Sequence, residues 1–237
     1  MPHDIIPTLF GLKYSFYYDL LDSHDFQTTH NVSASARVFE PRNLSTVLEV
    51  HYANKNSEDN KYDYLQGDSE GVDLSQLWFF HNKKGYLQLG LRANKEDLDD
   101  QTGTQVFIGR TRFLKLVKVE KRPFFRSYSY DAKSVYLAAH IPIYREHTFL
   151  DLGAEFITKD YKDDDTLYLS ANKRFHDKRS DDQQRYTAAV NHTLNDNLQV
   201  GILYRHVNND SNFDGGHGEP DREYEQNLYG FNLTGSF

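Results

Sequence analysis

Apolar and polar residues alternate one by one along most of this chain. Between Thr8 and Asp19, Phe10, Leu12, Tyr14, Phe16 and Tyr18 share one parity, while Gly11, Lys13 and Ser15 hold the other. From Phe26 to Val38, Val32, Ala34, Ala36 and Val38 oppose Asn31, Ser33, Ser35 and Arg37, and from Leu44 to Asn54, Leu48, Val50 and Tyr52 oppose Glu49 and His51. A period of two marks a strand with one apolar and one polar face. The pattern returns at Val72–Phe80, Tyr86–Ala93, Thr104–Phe113, Ser134–Ile143, Thr148–Asp160, Gln184–Thr193, Leu198–Asn208 and the closing stretch to Phe237. Leu114–Tyr130 is irregular, with charge on both parities and Pro123, which cannot donate to a ladder. Counting it as a strand gives an all-β chain of about twelve antiparallel strands. Otherwise the count falls to ten, or the segment folds inward.

The connections sort by length. Glu40–Asn43, Asn82–Gly85, Tyr144–His147 and Asn195–Asn197 are short turns rich in turn-forming residues. Lys55–Glu70, Glu96–Gln101, Tyr161–Gln183 and Asn209–Asp221 are longer, and acidic or glycine-rich. Short turns at one end and long loops at the other are the plan of a transmembrane β-barrel, with periplasmic turns and extracellular loops. The expectation is one such barrel domain over residues 1–237, with both termini on the turn side.

Composition agrees with that plan. Hydrophobic residues are 38% of the chain, yet there are 17 Tyr and 16 Phe, residue types at home in strands. No run of apolar residues is long enough for a transmembrane helix, whereas a barrel strand needs only every second residue to be apolar. The absence of Cys excludes a disulfide framework and a thiolate metal site, and the net charge of −8 argues against nucleic acid as a partner. Met1-Pro2-His3-Asp4 has no basic and apolar leader, so a barrel of this sequence would have lost its signal or be the membrane part of a longer protein.

The last strand reads Tyr229, Phe231, Leu233, Gly235 and Phe237 on one parity. This ending resembles the C-terminal strand of Gram-negative outer-membrane β-barrels, where a final Phe after alternating apolar residues is the assembly signal. Leu198 to Phe237, with Tyr204-Arg205-His206, Asn209-Asp210-Ser211-Asn212, a glycine-rich loop and Asp221-Arg222-Glu223-Tyr224, is similar to the closing hairpin of small porins. It is similar also to the closing hairpin of the barrels of exopolysaccharide exporters and surface-lipoprotein assembly proteins. The resemblance implies a bacterial outer membrane with its lipid and lipopolysaccharide, the barrel-assembly machinery as a partner, and a periplasmic or envelope protein as a further one. No helical repeat precedes the barrel in this sequence.

The polar faces carry charge that a soluble core would not tolerate unpaired. Arg37, Glu49, Arg92, Arg110, Arg112, Asp151, Glu155 and Arg205 are the expected lining of a wet lumen, and such a field favours anionic or sugar-acid solutes. Tyr18, Trp78 and Phe80 stand at strand ends, as interfacial anchors would. Two other readings stay open: a closed barrel serving as an anchor or assembly subunit, and a soluble all-β carbohydrate-binding sandwich. The Asp99-Asp100 and Asp163–Asp165 runs lack the spacing of a calcium loop, so no metal or cofactor is expected. His192-Thr193 with Asn195, and His206 near Asp210, are the nearest things to catalytic sets. Neither completes one, and no enzymatic activity is expected.

Overall fold

A computed structural model describes residues 7–21, 24–58, 63, 65–82, 84–99, 101–110, 117–144, 147–170, 173–195, 198–212 and 223–235. These form twelve antiparallel strands: β1 Thr8–Leu21, β2 His24–Glu40, β3 Leu44–Ser57, β4 Gly67–Phe80, β5 Gly85–Leu98, β6 Gln101–Arg110, β7 Val117–Arg126, β8 Tyr130–Tyr144, β9 Thr148–Ser170, β10 Lys173–Asn195, β11 Leu198–Ser211 and β12 Tyr224–Gly235. Among the described residues there is no α-helix.

Ten strands form one continuous ladder, in the order β1-β2-β3-β4-β5-β8-β9-β10-β11-β12. β5 pairs directly with β8, from Tyr86 opposite His140 to Glu96 opposite Tyr130. β6 and β7 are therefore a branch at the loop end of the β5–β8 hairpin, paired with each other and joined to β9 where Phe125 lies opposite Thr166. The irregular Leu114–Tyr130 stretch is thus a strand from Val117 to Arg126, outside the wall.

The acidic loop expected at Tyr161–Gln183 is mostly hairpin. β9 continues to Ser170 and β10 starts at Lys173, with Asp164 opposite Lys178. Tyr161, Thr166, Leu167 and Tyr168 keep strand propensity through the charged run, which the acidic composition concealed. The Lys55–Glu70 loop also shortens, because β3 runs to Ser57 and β4 begins at Gly67. Gly67 has φ 146° and packs so closely on β5 that an added Cβ would sit 2.1 Å from the Asp97 carbonyl. At the opposite end the turns are tight. Arg42 and Asn43, then His81 and Asn82, supply the consecutive left-handed residues that short hairpin connections require.

The two faces are distributed oppositely to those of a water-soluble sheet. Leu48, Val50, Leu74, Leu87, Leu89, Leu91, Val135, Leu137, Leu152 and Phe156 are exposed on one face. Buried on the other are Ser45, Ser75, Asp181, Gln183 and Asn209, with Leu77 and Ile157 among them. The exposed apolar belt runs obliquely to the hydrogen-bonded rows. Phe10, Leu48, Leu74, Leu91, Val135 and Phe156 share a row that reads Gln184, Asn208 and Glu225 by β10–β12. On those strands the belt lies nearer the turns, at Val190, Ile202 and Phe231. β1 and β12 end the ladder, and among the described residues they do not pair with each other.

Candidate functional site

The sheltered face carries three polar tiers. The middle one follows from register: Asp73, Arg92 and Ser134 lie in one row, with Tyr136, Glu155 and Arg185 in the next on the same face. Arg92 Nη2 lies 2.9 Å and Nε 3.0 Å from Asp73 Oδ2, and Nη1 lies 3.0 Å from Glu155 Oε1. Tyr136 donates to Asp73 Oδ1 at 2.7 Å, and Ser134 to Glu155 Oε1 at 2.9 Å. Arg185 approaches Glu155 Oε2 at 3.6 Å and donates to Gln183 Oε1 at 2.8 Å. Gln183 in turn donates to the Tyr224 hydroxyl at 2.8 Å. The chain of polar contacts, charge-assisted as far as Gln183, thus crosses the sheet from β4 to β12. Gly90 makes room for it, since a Cβ there would lie 2.2 Å from the Tyr136 ring, which the Arg92 guanidinium covers at 5.2 Å.

Beside this tier is a cavity of about 560 Å³, which Arg37, Glu49, His51, Asp73 and Arg92 help to line. Asp73 and Arg92 are already paired. Among the described residues neither Arg37 nor Glu49, diagonal neighbours on β2 and β3, forms a direct ion pair, and both face the cavity. Asn31 and Asn94 line it too, but their Oδ1 atoms are themselves buried, that of Asn94 close against Gly71.

Toward the turns, Asp151 Oδ1 lies 2.5 Å from His140 Nδ1, and Oδ2 accepts from Asn191 Nδ2 at 2.6 Å. The His140 ring is stacked between Tyr86 and Phe149. Toward the loops, beyond the apolar belt, Lys55 pairs with Glu96, and Tyr130 donates to Glu96 Oε2 at 2.6 Å. Asp181, only 2% exposed, receives Arg179 Nε at 2.9 Å and the Ser211 hydroxyl at 2.6 Å. Burial pushes the Asp181 carboxyl up, but Arg179 and Ser211 together hold it below the usual carboxylate range. Burial, then the charge of Glu96, pushes the Tyr130 phenol well above its ordinary value, while burial and the Arg185 charge lower Lys159. Asp97 is lowered by Lys162, 3.2 Å away.

The residues expected to line a lumen divide into groups. Arg37, Glu49 and Arg92 meet at the cavity, Glu155 in the middle tier and Asp151 in the turn-side tier. Arg205 lies between Thr187 and Leu228, on the polar parity but exposed. Arg110 closes β6 opposite Val117, in the branch rather than the wall, and Arg112 lies outside the described residues. Tyr18, Trp78, Phe80, Tyr229, Phe231 and Leu233 are all exposed, whereas Phe237 lies outside the described residues. Asp73, Tyr136, Arg185, Asn31 and Asn94 were missed. Strand parity alone could have placed Asp73 with the lining, but its pairing with Arg92 needed the register.

No family model matches the chain, and no curated protein matches it. Among solved structures, the β domain of the Bordetella autotransporter BrkA is similar over 98% of this chain and 99% of that one. Identity there is 12% and the TM-score 0.38, too distant to bear on what the chain does.

Proposed function

We propose that this chain is a β-barrel of the bacterial outer membrane, forming a narrow, water-filled passage for small polar and anionic solutes, sugar acids among them. The reading is carried by the inverted faces: leucines and valines on the exposed side, an ion-pair network on the sheltered side. From Val135 to Ile143 the belt covers roughly 26 Å of strand, or about 20 Å of height at a tilt near 40°, close to the apolar band of an outer-membrane barrel. In hydrocarbon no open sheet edge is tolerated, so β1 and β12 would close on each other.

A ten-stranded wall lies between barrels filled by side chains and wide porins, which suits a passage only one small solute wide. Arg37 would draw a carboxylate, and Glu49, diagonal to it on β3, would exclude larger polyanions. The paired Arg92, Asp73 and Glu155 would hold the wall and contribute little net field.

Single-channel recording of the refolded chain in a planar bilayer tests this. Discrete steps and an anion-preferring reversal potential under a salt gradient are expected. Arg37→Ala shifts that potential toward cation preference, while Arg110→Ala leaves it unchanged. Insertion without current would favour the closed structural barrel. A folded monomer in plain buffer would favour the soluble sandwich.

A further inference from the structure

The 560 Å³ cavity is not polar all round. Phe79 and Tyr86 line it together with Arg37 and Glu49, and the register sets their spacing. Arg37, Val47, Ser75 and Gly90 share one row of the sheltered face. Tyr86, opposite Phe79, lies four residues nearer the turn on β5 than Gly90, or roughly 13 Å of strand. The aromatic pair therefore bounds the cavity on the turn side, and Arg37 faces it from β2.

Neighbouring rings position this pair. Phe79 meets Tyr86 at 66°, with centroids 6.2 Å apart, so the two make a corner. On the β8 side the His140 ring is stacked on Tyr86 at 5.4 Å and 18°, and Phe149 on His140 at 4.6 Å and 16°. Asp151 in turn holds His140 Nδ1 at 2.5 Å. Among the described residues the Tyr86 hydroxyl has no hydrogen-bond partner.

We propose that Tyr86 and Phe79 are a platform for a pyranose ring, and that the cavity takes cyclic hexuronic acids with the carboxylate toward Arg37. Small-ligand pockets of this volume combine aromatic surface with a few placed polar groups. An inorganic or open-chain anion would use Arg37 alone. A pyranose acid has an apolar C–H face for the two rings, hydroxyls for Tyr86 and Glu49, and a carboxylate that a guanidinium meets with two donors. The inference rests on the reading of the chain as a passage for sugar acids, and names the ring form as the one selected.

The test uses the full chain refolded in detergent and a saturation-transfer NMR titration, which does not depend on current. The probes are the methyl glycoside of galacturonate, locked as a ring, and gluconate, an open chain of the same charge. The ring acid should bind roughly tenfold more tightly. Its strongest transfer should fall on the C3, C4 and C5 hydrogens, which share one face of the sugar. Tyr86→Leu, which keeps apolar bulk without a ring, should abolish the advantage. Should that variant not fold, the transfer pattern and the ratio of the two affinities in the parent decide. Equal affinity for the two acids, transfer spread evenly around the ring, or an advantage that survives in folded Tyr86→Leu overturns the proposal and leaves the rings as packing of the wall. An anion-preferring current without ring preference overturns it too, while the passage stands. Ring preference in a chain that inserts but passes no current upholds the platform and removes the passage.

Discussion

Leu91→Arg distinguishes a lipid-facing belt from a surface in water by the sign of its effect. Leu91 is 60% exposed, in a row with Leu74 on β4 and Val135 on β8. In a water-soluble sheet, a surface substitution away from packed neighbours shifts stability by about 0.5 kcal/mol or less, and Arg would improve solubility. In a bilayer, a guanidinium near the midplane costs about 2–4 kcal/mol. Leu91 lies inside the apolar run Leu87, Leu89, Leu91 and Ala93, so the larger figure applies, and at about 1.4 kcal/mol per decade the folded-to-unfolded ratio falls about 30-fold or more. The assay is urea unfolding of protein refolded into lipid vesicles, followed by the mobility difference between folded and heated samples. Val47→Arg is the control, because Val47 lines the polar cavity, where a guanidinium meets water. The membrane assignment is refuted if Leu91→Arg in vesicles is within 0.5 kcal/mol of the parent, or if the variant folds as a monomer without lipid or detergent.

Arg92→Ala leaves Asp73 and Glu155, each largely sheltered, without their shared cation. Because Arg92 is itself about one-third exposed, the loss is set below the fully buried case, at about 2–3 kcal/mol in vesicle unfolding. A double-mutant cycle with Asp73→Asn should recover most of it. Gly90→Ala drives a methyl into the Tyr136 ring and should cost about 1–3 kcal/mol, whereas Gly90→Ala combined with Tyr136→Ala should cost less than the two changes added. The Asp181 carboxyl titrates below its unfolded value, so its contribution is complete above the unfolded carboxylate pKa and is lost as pH falls through the folded one. Asp181→Asn should therefore be less stable than the parent at neutral pH and at pH near 5, with the gap closing in strong acid, as read by urea midpoints across that range.

The fold was legible in the sequence where one face meets a uniform environment. Leu48, Val50 and Tyr52 against Glu49 and His51 reveal strand, boundary and face at once, because a period of two admits one assignment. It was less legible where neither parity is apolar. In the β6–β7 branch and the outer half of β9–β10 the charge looks like loop, and what shows the strands is their backbone register. Topology was the other blind spot, since alternation does not say which strands pair, and Arg110 was counted with the lining although β5 bypasses its hairpin.

Register separates charges that parity makes equivalent. Arg37 and Arg92 both stand on the polar face and both reach the same cavity. Arg92 has carboxylates on two sides, supplied by β4 and β9, so its removal destabilises the wall. Arg37 faces the cavity with no ion pair among the described residues, so its removal leaves no carboxylate stranded. In the proposed passage, stability and selectivity would be carried by different arginines, and the division is measurable: Arg92→Ala should move the urea midpoint, and Arg37→Ala the reversal potential. If Arg37→Ala proved as destabilising as Arg92→Ala, the cavity would be part of the packed structure and not a place for solute.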